Sequence, residues 1–212
     1  MMARDRSFSL KRKPAIRDPK HRFFIFCEGE NTEYAYFSAL KRDFPGALIE
    51  LKIIAPAGAA YTCAEKATSA VHKRGYARDS FEKNDQIWAV FDRDETDRYQ
   101  DAVSLCQRSN VGIGRSNPCF EIFLILHIEN FNKDCTTRDV ERYLQKIHPA
   151  YNADRKKIPD CQALVKEIEI AERRAEDQLA ERDREGNSFG APSTTVFLLT
   201  RAIRSAAKKS AR

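Results

Sequence analysis

Three carboxylates stand where apolar runs stop. Glu28 directly follows RFFIFC, and Asp92 and Asp94 directly follow QIWAVF in the segment IWAVFDRDE. Carboxylates suit hard cations, and Mg2+ keeps several of its waters, so two or three acids plus a substrate phosphate complete a site. In extended chain, alternate residues point to the same side, so the Asp92-x-Asp94 spacing lets two carboxylates reach one ion. Such an ion neutralises a transferring phosphoryl group and orients or activates water, with Glu28 available as general base or acid. Glu28, Asp92 and Asp94 are therefore expected to be catalytic and to hold Mg2+ or Mn2+, with Glu95 as an adjacent accessory. The plain alternative for DRDE is a solvated turn. Against it stand the apolar strand that these acids terminate and the second strand that delivers Glu28.

A second set of acids is less isolated from structural duties. In SNPCFEIF, Asn117 reads as a helix N-cap with Pro118 at the first helical position. Glu121 then falls four residues after the cap, where a capping box needs three. Its neighbours Phe120, Ile122, Phe123 and Leu124 are apolar, so an ionised Glu121 is costly to bury without a partner or a metal, which makes it a catalytic candidate. Glu33 lies in a first helical turn, where the helix dipole alone favours a carboxylate, and it is taken as accessory. Glu30 reads as plain surface. His127, six residues beyond Glu121, is an accessory candidate, although a histidine near a helix end is more often a satisfied core residue.

The elements that must position these groups follow from periodicity and turn punctuation. HRFFIFCEG predicts a buried strand, and Asn31 or Thr32 can cap a helix over TEYAYFSALKRDF that stops before Pro45-Gly46. ALIELKII is a second strand, CAEKATSAVHKRGYA a helix, DQIWAVFDRDE a third strand, DRYQDAVSLCQRS a helix and VGIGRS a short strand. This alternation predicts an α/β fold with a Rossmann-like parallel sheet flanked by helices. In such a sheet, loops at the carboxyl ends of the strands converge on one edge. The second half reads as a helical C-terminal elaboration: NPCFEIFLILHIE, TTRDVERYLQKIH, one long helix over CQALVKEIEIAERRAEDQLAERDRE, and a final helix over STTVFLLTRAIRSAAKK. These late helices are expected to pack on the sheet.

Length and charge bound the rest. At 212 residues and 42% hydrophobic, the chain is long enough for one substantial core and short for two. One domain is expected over residues 21–205, between basic tails at 1–20 and 206–212. Residues 1–20 carry a net +5 and residues 201–212 another +5, which exceeds the +6 of the whole chain and leaves the body at −4. Basic ends around an acidic body suit a polyanion held by its phosphates near cation-binding carboxylates, with Lys11, Arg12, Lys13, Lys208 and Lys209 as the expected nucleic-acid contacts. Solvated tails are the bland alternative. No run of about 18 apolar residues exists and MMARDRSFSLKRK lacks an apolar signal core, so no membrane association and a cytoplasmic location are expected. Six scattered cysteines without a CxxC pair point to buried reduced thiols. The chain has no GxxxxGK[ST], no GxGxxG after a strand and no nucleophile elbow, which excludes a self-contained P-loop ATPase and argues against dinucleotide and serine-hydrolase chemistry.

The motifs FIFCEGENTEYAYFSAL, IWAVFDRDE, SNPCFEIFLILH and APSTTVFLLTRAI, in that order over about residues 22–205, resemble the RloB family, Toprim-fold proteins of bacterial defence and restriction loci. The resemblance implies a Toprim-like fold, puts Glu28 in the glutamate position, Asp92 and Asp94 in the metal-binding positions, Glu33 at the second acid of an EGxxTE motif and Glu121 at the acid of SNPxFE. Phe123 stands where that pattern has Trp, and Ala191 where it has Asn before PST. The resemblance further implies a separate ATPase partner and a metal-dependent endonuclease in antiviral defence, with RNA, including tRNA, ahead of DNA. The alternative is a non-catalytic nucleic-acid-binding or adaptor subunit. The exact target, the trigger and the oligomeric state lie beyond what these motifs specify.

Overall fold

A computed structural model describes residues 21–29, 31–53, 60–74, 85–93, 98–152 and 158–210. The first half alternates as expected: β1 (Arg22–Cys27), α1 (Thr32–Asp43), β2 (Leu48–Ile53), α2 (Ala60–Arg74), β3 (Gln86–Asp92), α3 (Tyr99–Arg108) and β4 (Gly112–Asn117). Then come α4 (Glu121–Ile128), α5 (Thr137–Ile147), α6 (Cys161–Lys166), α7 (Ile168–Arg184), β5 (Ser193–Thr194) and α8 (Val196–Ser210). The strands form one sheet in the order β2-β1-β3-β4-β5, parallel except for β5, which runs antiparallel to β4. The architecture is thus α/β and Rossmann-like.

Burial on both faces explains why β1 is apolar along nearly its whole length. Phe24 and Phe26 join Ile87, Ala89 and Phe91 against α2 and α3, while Phe23, Ile25 and Cys27 join Ile49 and Val90 against α1 and the later helices. Helices α4 to α8 share that second cluster, so the C-terminal elaboration is built on one sheet face. Because the chain passes from β1 outward to β2 and then returns across β1 to β3, the strand order reverses between β1 and β3. Crevices in such sheets open at the carboxyl ends of the strands at this reversal. Glu28 and Asp92 both sit there, since Cys27 pairs with Val90 and the Glu28 N–H donates to the Val90 carbonyl at 3.2 Å.

Several local expectations change. Asn117 does not cap a helix: it is the last residue of β4, and α4 starts at Glu121. The Asn117 amide instead donates to the Phe189 carbonyl at 2.9 Å, and the Asn117-Pro118 bond is cis. The expected long helix over 161–185 breaks at Glu167 into α6 and α7, at a residue with no Gly or Pro signal. The final helix starts later than expected because Ser193 and Thr194 pair with Asn117 and Ser116 as β5. Hydroxyls make that edge: Ser116 bonds Thr194 at 3.1 Å, and Thr195 accepts the Arg115 N–H at 3.0 Å. Asn31 holds the N-cap position of α1 without a side-chain capping bond, whereas Thr136 caps α5 reciprocally with Asp139. All six cysteines are free thiols and five are buried, as expected. Among the described residues no helix is long and apolar enough to cross a membrane.

Candidate functional site

Four carboxylates bear on one another at the carboxyl edge of the sheet. Glu28 follows β1, Asp92 ends β3, Glu33 lies in the first turn of α1 and Glu121 in the first turn of α4. Glu33 and Glu121 are each only 6% exposed, far below what an uncompensated carboxylate tolerates. Burial pushes the Glu33 carboxyl up to about 7, against backbone N–H groups of Glu33 and Gly29 that favour its charge, and the charges of Glu121 and Glu28 push it further up. A β-carbon at residue 29 would overlap the Glu33 carboxylate, so glycine there is what lets this carboxyl lie against the strand end.

Asp92 as a residue is only half-buried, less so than Glu33 and Glu121, but one of its carboxylate oxygens is enclosed. Burial holds its carboxyl well above the ordinary range, the charges of Glu33, Glu121 and Glu28 add to this, and the Phe120 backbone N–H relieves it only in part. Its Oδ1 is buried and has no hydrogen-bond partner among the described residues. Glu121 is held in place by two hydroxyls on one oxygen: Tyr151 donates to Oε1 at 3.0 Å and Thr32 at 3.2 Å. The surrounding thiols hold their protons in the cation-free protein. Burial first and the nearby acids second push Cys27, Cys63 and Cys119 up, so these stay protonated.

A family model of RloB-like proteins matches residues 23–203, the stretch that carries all four carboxylates. The chain belongs to the RloB-like family. Comparison with curated proteins and with solved structures returns no match.

The donor set of this RloB-like chain fits a hard divalent cation. Four carboxylates repel one another, two have raised affinity for a proton, and one buried oxygen has no partner among the described residues. A proton or a cation resolves each of these features. Among the described residues, no group of three or more acidic, histidine or cysteine side chains is placed to hold a metal ion. Asp94 and Glu95, expected beside Asp92, lie outside the described residues.

The remaining expected residues fall elsewhere. His127 belongs to the aromatic core: its Nδ1–H donates to the Phe123 carbonyl at 2.8 Å, which leaves Nε2 to accept the Tyr36 hydroxyl at 3.0 Å. Burial pulls its pKa down to about 4, so the ring is neutral and both nitrogens are engaged. Lys208 and Lys209 lie at the far end of the molecule. Helix α8 starts beside β4, next to Gly114, and runs until Ala207 meets Gly46, just before β2 begins at the amino edge of the sheet. Its 15 residues span about 22 Å, so the basic end of α8 is removed from the acids, and Lys208 instead approaches Glu169 at 3.8 Å. Lys11, Arg12 and Lys13 lie outside the described residues.

Sequence reasoning missed Thr32 and Tyr151. Thr32 was read only as a possible cap, yet its hydroxyl spans from α1 to α4. Tyr151 lies in the polar segment HPAYNADR, where a single aromatic among loop residues was the only available signal.

Proposed function

We propose that this RloB-like protein is a Toprim-type, divalent-cation-dependent endonuclease that hydrolyses phosphodiester bonds of nucleic acid, RNA ahead of DNA, and serves as an antiviral effector alongside a separate ATPase. The observation that carries this reading is the buried Oδ1 of Asp92, without a hydrogen-bond partner among the described residues, within a cluster of four acids at the sheet's reversal point. Glu28, Asp92 and Asp94 would hold Mg2+ or Mn2+, whose chemistry when bound is to neutralise phosphoryl charge and acidify water. Glu33, with its carboxyl near 7, holds or releases a proton close to neutral pH, the range in which a general acid or base works best. Glu121 is held in a fixed orientation by the Tyr151 and Thr32 hydroxyls. Gly29 keeps the Glu33 carboxyl against the strand end. The absence of a P-loop motif supports nucleotide hydrolysis by a partner.

A second reading, a nucleic-acid-binding adaptor that does no chemistry, is supported by the lack of three closely gathered ligands among the described residues. Turnover separates the two. Purified protein incubated with RNA and with DNA in Mg2+ or Mn2+ is expected to cleave, and an Asp92→Ala/Asp94→Ala variant is expected to lose cleavage. Cleavage that survives the double change removes the proposed site, and binding without turnover in the parent protein favours the adaptor.

A further inference from the structure

A nuclease or adaptor at this edge must hold a polyanion beside four acids, and the lysines at the end of α8 are too distant to do so. A nearer set of donors exists. Arg93 immediately follows Asp92, and its backbone N–H donates to the Ser116 carbonyl at 2.8 Å, so the ends of β3 and β4 are locked together. In the β3–β4 register Asp92 lies opposite Ser116, which places Arg115 and Asn117 on either side of that partner. As alternate residues of one strand, Arg115 and Asn117 share the Phe91 face of the sheet, toward which Arg93 also turns, whereas Asp92 and Ser116 face the other way, so the two sets come together at the carboxyl edge of the sheet.

All three side chains converge on Phe189, in the loop before β5. Arg93 Nη1 donates to the Phe189 carbonyl at 3.2 Å and Asn117 Nδ2 donates to the same oxygen at 2.9 Å. The Arg115 guanidinium lies over the Phe189 ring, 3.1 Å from its centroid. Phe189 has a φ of +65°, a left-handed conformation that strains a bulky residue and persists only where surrounding contacts impose it. Here those contacts come from residues at the ends of the two strands that border the acids.

The consequence for Arg115 is chemical. A guanidinium held over an aromatic ring by a cation–π contact leaves its N–H donors available, and their fork geometry matches phosphate oxygens. Among the described residues the Arg115 guanidinium has no hydrogen bond and neither Arg93 nor Arg115 has a carboxylate partner. Arg93 is also exposed and turns its guanidinium toward the Tyr99 ring at 5.9 Å.

We propose that Arg93 and Arg115, positioned by Asn117 and Phe189, form a clamp for the phosphodiester backbone of a nucleic-acid strand entering the carboxylate site. The proposal rests on the nucleic-acid reading above, but it requires no catalysis. Phosphates flanking the scissile one sit on the guanidinium edges, while the cluster of acids receives the reacting phosphate.

Fluorescence anisotropy with a labelled single-stranded RNA and a DNA of the same sequence, in EDTA and on the full chain, tests it. Arg93→Ala and Arg115→Ala are each expected to weaken binding about tenfold and to lower the slope of log affinity against log salt by about 1. Arg115→Lys, which keeps charge but loses the stacked fork, is expected to fall between them and the parent, with thermal melting confirming that each variant folds. Loss on either polymer supports the clamp, and the polymer that loses more identifies the strand held. Unchanged affinity and salt slope on both overturns it, as does a loss seen only in Lys208→Ala/Lys209→Ala or no binding by the parent protein. Calorimetric titration of Mg2+ into Arg115→Ala keeps the two readings apart: failure of the clamp leaves ion binding intact, whereas failure of the carboxylate site appears as absent ion binding in the parent.

Discussion

Replacing Glu33 by Gln should stabilise the cation-free protein at alkaline pH while weakening its response to Mg2+. The buried Glu33 carboxyl sits at about 7, against an ordinary value of 4.5. The native state therefore binds this proton more tightly than the unfolded chain does. Its contribution to stability is complete below about 4.5 and is lost as pH rises through about 7. At about 1.4 kcal/mol for each pH unit between the two values, the loss is about 3 kcal/mol by pH 8. Gln keeps the acceptor oxygen for the Gly29 N–H and removes the titration, so Glu33→Gln should melt roughly 5–10 °C higher than the parent at pH 8 in EDTA. At pH 4.5 the two should coincide. His127 titrates in the opposite sense, since a pKa lowered to about 4 from 6.5 means that stability falls as pH drops through that window. The diagnostic is therefore the difference between variant and parent, from which His127 cancels. Circular-dichroism melts from pH 4.5 to 8 measure it, and millimolar Mg2+ should narrow or reverse the gap because a bound ion stabilises only the protein that holds it. A parent and a variant with parallel pH profiles in EDTA would refute the burial and mutual repulsion argued for Glu33.

Asp92→Asn should abolish calorimetric Mg2+ binding and cleavage while raising the melting temperature of the cation-free protein, since it removes a carboxylate whose charge is opposed by desolvation and by three neighbouring acids. Tyr151→Phe deletes one of the two hydroxyls that hold Glu121 Oε1 and should cost about 2 kcal/mol in urea unfolding at neutral pH, with a fall in turnover. Gly29→Ala should displace the Glu33 carboxyl, and so flatten the pH dependence of melting much as Glu33→Gln does. Away from the site, Arg204→Ala leaves Glu172, 2% exposed, with its Thr200 bond at 2.9 Å and a longer approach from Arg201 at 3.7 Å. That should cost about 3 kcal/mol in urea unfolding without altering ion binding.

What could be read without coordinates was whatever is local in the chain. RFFIFC and QIWAVF announce strands buried on both faces, because only such strands remain apolar at consecutive positions after the first, and the acids that stop them must lie at the rim. The alternation of such runs with helical periods settles the α/β class, and a parallel sheet then brings Glu28 and Asp92 together. Glu121 was legible as an acid set in an apolar helix, though not through the cap assigned to Asn117. Other features depend on what meets across the sheet. Glu167 breaks a helix with no breaker residue, and two hydroxyl residues become β5 because the edge of β4 needs partners. The link from Tyr151 to Glu121 and the retirement of His127 into the core arise from packing between segments that no spacing relates. The same holds for basic charge. A lysine-rich end looks like a nucleic-acid handle in one dimension, but α8 carries it to the amino edge, while Arg93 and Arg115, unremarked in the chain, gather on Phe189 at the ends of β3 and β4. Side-chain type and strand burial are properties of short segments, whereas the direction a helix runs across a sheet, and so which charges share an edge, exists only once the chain has folded.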